Sequence, residues 1–422
     1  MMPTQTIFAL SSGLPPSGIA VVRISGPQAG IALTALAGSL PTPRRASFRR
    51  FRSAEGMILD EGLALWFPGP ATATGEDLAE LHLHGGRAVV AAVLAALGQI
   101  PRCRAADAGE FTRRAFENGR IDLTEAEGLA GLLSAETEWQ RRSAIALAEG
   151  GMGRLVAGWE TTLLRESARL EALLDFSDEG DVADDLPDAS ALHGLAEEMA
   201  ALLASPLAER LRDGVRVVLG GPPNAGKSSL FNALIDRDAA IVTDIAGTTR
   251  DRIEAPVSLD GVPLLFVDTA GLHEDAADAV EAIGMARSSE ALAAADIILW
   301  LGAAAEAPAG AILVAAKADL APRAEGLPVS VKTGVGVAAL RSAILNEARA
   351  LLPQPGALAL NARHRAIVQE VAHLISDAVE AHDPLIRAEH LRLARNVLDR
   401  LTGRSGVESM LDALFGAFCI GK

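Results

Sequence analysis

Apolar and polar residues alternate in three different ways along the chain. Through residue 118, short runs such as IAVVRIS at 19–25 and LALWFPG at 63–69 read as strands. Between them AVVAAVLAALGQI, at 88–100, carries a helical pattern, and Gly and Pro punctuate the intervals. This region reads as an α+β domain. From Leu123 the pattern becomes helical. Thr124 and Glu127 are spaced as a capping box, Ala/Leu-rich segments run to Phe176, and a further helix is expected over 189–212. Residues 215–351 then alternate apolar strands with helices. After a PQPG linker at 353–356, helical patterning resumes at His364 and continues to the end, broken by TGRSG at 402–406. Helical blocks on both sides of a β/α segment suggest one helical domain into which the other is inserted. The expected class is multidomain α/β and α. It comprises an N-terminal α+β domain at 1–118, helical segments at 119–212 and 353–422, and an inserted Ras-like P-loop domain at 213–352.

Composition changes this picture little. With 422 residues, 50% of them hydrophobic and 22% charged, the chain suits two or three globular cores. Its net charge of −16 excludes nucleic-acid binding by overall positive charge, so any such contact needs a local patch or a partner. One candidate patch is PRRASFRRFR at 43–52, where five arginines interleave with Phe48 and Phe51. A solvated loop or edge strand explains it equally well. The acidic run at 175–188 reads as a hydrated loop. Cys103 and Cys419 are the only cysteines, which argues against a disulfide framework or a zinc site and fits a reducing, cytosolic setting. The N-terminal residues lack the charged and apolar regions of a signal peptide. The most apolar stretch, ALAAADIILWLGAAA, is interrupted by Asp296 and reads as a buried helix–strand pair, not a membrane span.

The strongest chemical signal is VRVVLGGPPNAGKSSLFNAL, an apolar strand, a G-x-x-x-x-G-K-S loop and a helix. Such a loop turns backbone N–H groups of residues including Asn224, Ala225 and Gly226 toward phosphates, with the helix dipole behind them. Lys227 suits the β- and γ-phosphates, the Ser228 hydroxyl suits Mg²⁺, and Ser229 follows on the helix. Downstream, TDIAGTTRD at 243–251 offers Thr243, Thr248 and Thr249 to Mg²⁺ and the γ-phosphate. FVDTAG at 266–271 supplies Asp268 and Gly271, and LVAAKADL at 313–320 supplies Lys317 and Asp319. An aspartate at this last position accepts the ring N–H and exocyclic amine that guanine presents and adenine lacks. With PVSVKTGVG at 328–336 as the base-side loop, these motifs point to GTP.

Two positions depart from the guanine-specific pattern. Ala316 stands where an Asn or Thr amide or hydroxyl normally braces the base loop. Leu272 stands where Ras-like enzymes place a water-orienting glutamine. Another group must therefore orient water, and no arginine finger is identifiable.

Taken together, the α+β region, the helices, the inserted GTPase with TDIAGTTRD and the terminal FCIGK resemble the MnmE/TrmE family of tRNA-modification GTPases. PGPATATGEDLAELHLHGG at 68–86 and AGEFTRRAFENGRIDLTEAE at 108–127 match its N-terminal signatures, and the resemblance spans the chain. It implies a cytoplasmic homodimer, without membrane association, acting with a FAD-containing MnmG/GidA-type partner on certain tRNAs. The implied reaction installs an aminomethyl-type group at C5 of the wobble uridine from a 5-formyl- or methylene-tetrahydrofolate donor. GTP hydrolysis would be K⁺-stimulated as paired G domains close, with K⁺ doing the work of an arginine finger. By resemblance, Asn224, Thr243, Ile245 and Thr248 hold K⁺, Ser228 and Thr249 hold Mg²⁺, and Glu281 orients water. Arg23, Glu80, Arg120 and Lys422 match folate-contacting positions; position 120 is more often lysine, and the arginine keeps the charge.

The tail itself is ambiguous. Leu411, Leu414 and Phe415 form an apolar face from which Phe418 would anchor it. Cys419 taken alone is more often a small buried hydrophobe than a nucleophile. The resemblance assigns the thiol to the modification chemistry or its geometry. Two rivals predict differently. An Era-like ribosome-assembly GTPase calls for a separate RNA-binding module, and a one-carbon-transfer enzyme with a regulatory G domain calls for modification independent of GTP hydrolysis.

Overall fold

The computed structural model describes residues 5–175, 188–235, 254–268, 289–320, 325–405 and 408–421. Packing gathers them into two compact units. One runs through Ala130 and is rejoined from Asp399 onward; the other spans Gly131–Leu398.

The first unit is built on a six-stranded sheet of β1 (Thr6–Leu10), β2 (Ser17–Ser25), β3 (Ser47–Arg52), β4 (Ile58–Phe67), β5 (Leu78–Gly85) and β6 (Cys103–Ala105). The order is β3-β4-β5-β2-β1-β6, antiparallel except where β6 runs parallel to β1. Period-two alternation sorts its two faces. Ala20, Val22, Ile24, Leu81 and Leu83 point into a core closed by the helices Ala29–Ala37 and Arg87–Gly98. On the opposite face Ile7 and Ala9 pack with Ala106 and with Phe111 of the helix Glu110–Glu117. Arg23 and Glu80 belong to that second face, out of phase with the core residues.

The arginine-rich run becomes β3, at the edge of this sheet. Phe51 is fully buried while Phe48 is exposed. Arg50 pairs with Glu61, Arg49 donates to the carbonyl of Phe48, and Arg52 donates to that of Gly56. These charges and the bulge beside Arg52 suit an edge that must not pair with another strand.

Two local expectations need correction. The helix Leu123–Ser134 is capped two residues earlier than expected: Asp122 accepts from the Glu125 N–H at 2.8 Å, and Glu125 accepts from the Asp122 N–H at 2.7 Å. Thr124 lies inside the helix, buried, with its hydroxyl donating to Asp122. Starting the helix there puts Leu123 in the core. The single helix expected over 189–212 is two, Ser190–Leu203 and Ala208–Asp213, divided at Pro206, which lacks the N–H that continuation requires.

The second unit contains the sheet β7 (Val215–Gly220), β8 (Glu254–Leu259), β9 (Val262–Asp268), β10 (Ile297–Trp300), β11 (Ile312–Ala316) and β12 (Leu327–Val329). Its order is β12-β11-β10-β7-β9-β8, parallel except for β8 against β9. Residues 215 and 217–219 of β7 are wholly buried, as a central parallel strand requires. The helices Lys227–Ile235 and Val337–Leu351 pack on this core. Around the sheet, the helix Ala362–Glu380 packs on Ser190–Leu203, and Arg365 donates to the carbonyls of Ser205 and Leu203. No helix among the described residues is long and apolar enough to cross a membrane.

Candidate functional site

The nucleotide motifs that fall among the described residues lie at the carboxyl ends of the parallel strands, beside the point where β7 has β9 on one side and β10 on the other. This is where open α/β sheets bind ligands. β7 ends at Gly220, and the helix starting at Lys227 leaves the intervening loop wrapped around its N-terminus. Asn224 holds φ at 60°, a left-handed conformation that a non-glycine residue adopts seldom and that asparagine tolerates better than most. Ser228 and Ser229 are exposed on the first turn.

Lys227 is buried, and its ammonium donates to the carbonyls of Gly221 at 2.9 Å and Pro222 at 3.0 Å. Burial lowers its pKa, while the buried carboxylate of Asp268 acts in the opposite direction. Asp268 ends β9 opposite Leu219 of β7, which brings its strand end beside the loop. The Ser228 hydroxyl and the Asp268 carboxylate are hard oxygen donors, the set Mg²⁺ prefers. Among the described residues no three His, Cys, Asp or Glu side chains gather as a metal site.

On the base side, Asp319 accepts from the buried Ser330 hydroxyl at 2.8 Å, which fixes its carboxylate. Lys317, with φ at 56°, donates to the carbonyl of Asn224 at 2.8 Å. Ala316 and Ala225 both pack on the sheet core, so a methyl group occupies the position of the usual bracing amide. Thr243, Ile245, Thr248, Thr249, Gly271 and Glu281 lie outside the described residues, as does the departure at Leu272.

The second constellation belongs to the first unit. Arg23 and Glu80 are register partners across β2 and β5, and Arg23 donates from Nε at 3.1 Å and Nη2 at 2.9 Å to one Glu80 oxygen. The other Glu80 oxygen lies 3.5 Å from His82 Nε2. The Arg23 guanidinium sits 5.9 Å from the centroid of the Phe111 ring. Arg120 donates from Nε to the Thr72 carbonyl at 3.1 Å. A carboxylate, a guanidinium and an aromatic ring at one sheet face provide what an amino-pyrimidine edge and a flat ring system require. Lys422 lies outside the described residues.

Sequence reasoning missed the polar network beside this face. Ser25 donates to Glu76 and shares a hydrogen bond with Thr74, both serine and threonine being buried. Arg114, also buried, donates to Glu76 and Glu110. Arg104 donates to both oxygens of Glu110, at 2.7 and 2.6 Å. Buried charges persist only when paired in this way. EFTRRAFE gives no local clue to this network, because Arg113 and Arg114 look alike in sequence and only Arg114 is buried.

The tail follows the helix Glu408–Gly416. Phe415 and Phe418 are buried with Leu123, Ala126 and Leu411, so the expected anchor is present. Ile420 then forms an antiparallel bridge with Ala108, and Gly421 is buried against Leu10. Cys419, expected from its residue type to be buried, is exposed.

A model described as the N-terminus of the GTP-binding protein TrmE matches residues 6–120, and one described as the MnmE helical domain matches residues 123–419. The tRNA modification GTPase MnmE of Rhizorhabdus wittichii is 58% identical over 432 residues, covering 99% of this chain and 97% of that protein. Its counterparts in Novosphingobium aromaticivorans and Erythrobacter litoralis are 56% and 55% identical, each covering 99% of this chain and 100% of the relative. Matched by both models and more than half identical to relatives over nearly their whole length, the chain belongs to the MnmE family of tRNA-modification GTPases and is a GTP hydrolase acting in tRNA modification.

Proposed function

We propose that this GTPase, as a cytoplasmic homodimer working with a FAD-containing MnmG/GidA-type partner, adds an aminomethyl-type group at C5 of the wobble uridine in certain tRNAs. The one-carbon unit comes from a 5-formyl- or methylene-tetrahydrofolate donor. The observation that carries this reading is the meeting of the tail with β1, the strand next to the one that carries Arg23. Gly421 of the Cys419-bearing tail abuts Leu10, next in sequence to Ala9, and Ala9 is the β1 partner of Arg23, itself paired with Glu80. The tail that bears the thiol thus docks one residue along β1 from the partner of Arg23, although some 400 positions separate the two in sequence.

The side chains divide the work. Glu80 accepts from the amino-pyrimidine edge, Arg23 orients that carboxylate, and Phe111 offers a flat apolar surface. Arg120 and Lys422 supply positive charge for a carboxylate-bearing tail. A methylene carbon would already have the oxidation level of an aminomethyl group, whereas a formyl carbon would first have to take two electrons from the reduced flavin of the partner. In the α/β domain, Lys227 exchanges its loop carbonyls for phosphate oxygens, Ser228 and Thr249 hold Mg²⁺, and Asp268 holds it through water. Asn224, Thr243, Ile245 and Thr248 present oxygens to K⁺, which stabilises charge developing between the phosphates as two G domains close. Glu281 orients the attacking water. In this reading the α/β domain at 213–352 is inserted between helical segments at 119–212 and 353–422, and the folate domain is 1–118. The packing of Ala362–Glu380 on Ser190–Leu203 supports that arrangement. Contact with tRNA along β3 is part of the same reading, and reversing the charges of Arg49 and Arg50 should weaken tRNA binding.

The test is reconstitution with the FAD partner and undermodified tRNA. Base modification should require GTP and the folate, and GTP hydrolysis should be faster in KCl than in NaCl. A potassium-independent rate removes the K⁺ assignment. Modification that proceeds without folate removes the donor assignment.

A further inference from the structure

Two glycines, far apart in sequence, are points where the C-terminal segment and the N-terminal domain pack backbone against backbone. Gly421 has φ at 98°, and a Cβ built on it would fall inside 3.0 Å of the carbonyl oxygen of Leu10. Gly109 has φ at 66°, and its Cβ would fall inside 3.0 Å of the carbonyl oxygen of Phe415. Neither obstacle is a flexible side-chain tip; each is backbone, which cannot move aside cheaply. Both positions also need a left-handed conformation that L side chains resist. Between these contacts the Ile420–Ala108 bridge fixes the strand-like register, and Phe418 is buried 6.1 Å from the Phe415 ring. Cys419 lies between Phe418 and Ile420, so both of its neighbours are held while its own side chain is exposed.

We infer that Gly109 and Gly421 are positioning residues: their lack of a side chain lets the tail dock at close range and so sets where the Cys419 thiol stands for tRNA modification. The inference rests on the reading that Cys419 serves the modification step. Gly109 is the socket, since it precedes the helix that carries Phe111 beneath Arg23. Gly421 is the latch on Leu10, one residue from the strand partner of Arg23. A methyl group at either position pushes the segment off the sheet by the extent of the overlap. Displacements of about 1 Å at a reacting group cost up to roughly 100-fold in rate.

The experiment compares full-length Gly109→Ala, Gly421→Ala, Gly416→Ala and Cys419→Ser. Gly416 is the control, because a Cβ there meets nothing within 4 Å. Hydrogen exchange of the segment 417–421 reports docking. GTP hydrolysis reports the nucleotide site, and kcat and KM for tRNA modification report the reaction. For Gly421→Ala and Gly109→Ala, protection of 417–421 should be lost and modification kcat should fall roughly 10- to 100-fold. KM for tRNA and GTP hydrolysis should stay within about twofold, and Gly416→Ala should match the wild type in every readout. Retained protection in both alanine variants overturns the docking role, and lost protection with normal kcat overturns the positioning role. If Gly109→Ala fails to fold, Gly421→Ala decides alone. Cys419→Ser judges the underlying reading separately: normal modification by that variant removes the thiol from the reaction, while the exchange and kcat of the glycine variants still decide whether tail docking matters.

Discussion

Lys317 reaches from the end of β11 to donate a 2.8 Å hydrogen bond to the carbonyl of Asn224, tying the base-side loop to the phosphate loop. The preceding residue, Ala316, packs its methyl group on the core where an amide would add a second tie. Replacing Ala316 with Asn should tighten guanine-nucleotide binding roughly two- to tenfold, the worth of one net hydrogen bond. Titration with fluorescent GDP measures it; unchanged or weaker binding means the methyl position cannot host a brace. ATP should displace GDP far less well than GTP in both proteins, because Asp319 is already fixed by Ser330.

Lys227 gives a second prediction. Its ammonium donates to the Gly221 and Pro222 carbonyls, and in the proposed reading it exchanges them for phosphate oxygens when GTP binds. Lys227→Met keeps the apolar stem and removes the charge. GTP hydrolysis should fall by roughly 10²- to 10³-fold, as when a preorganised donor to transition-state charge is lost. The melting temperature should move little, and a large drop would mean the lysine is structural.

Cys419 yields a cleaner separation. The thiol is exposed and borne by a tail packed on the sheet of the first unit, whereas the phosphate loop belongs to the second unit. Cys419→Ser should leave GTP hydrolysis within about twofold while tRNA modification drops at least tenfold, the order expected for loss of a group acting directly in the chemistry. Phe418→Ala should reproduce part of that loss by freeing the anchor, with hydrogen exchange of 417–421 rising in parallel.

These sites were legible in the sequence to different degrees, for physical reasons. The phosphate loop is a local object: strand, loop and helix lie within about twenty residues, so spacing alone defined Lys227 and Ser228. The alternation of β2 likewise put Val22 inside and Arg23 on the other face. The tail was half legible. Helical periodicity gave the apolar face of Leu411 and Phe415, but nothing near Cys419 announced that its docking partners would be Leu10 and Ala108. The cap before Leu123 is ambiguous in sequence because D-x-x-E and T-x-x-E frames overlap there. Burial of Leu123, a tertiary matter, selects the first. Arg114 was missed for a similar reason, since only the fold distinguishes it from the exposed arginine beside it.

Glu110 makes that buried network testable by pH. Burial opposes ionisation of its carboxyl, but hydrogen bonds from Arg104, the Asp107 N–H and Arg114 outweigh it and hold the pKa below the usual glutamate range. A depressed folded-state pKa means the ionised form favours folding. The contribution is fully present above the unfolded value, about 4.3, and is lost as pH falls through the lower folded value. Glu110→Gln keeps the size but leaves two guanidinia facing a neutral amide. It should destabilise the first unit by about 1–3 kcal/mol at pH 7, since removing one partner of a largely buried pair strands the other charge. Urea unfolding read through hydrogen exchange of the segment 103–118 measures this at pH 7 and again near pH 3. The difference between wild type and variant should shrink on acidification. A difference that stays constant with pH would assign the loss to packing and remove the charge from the account.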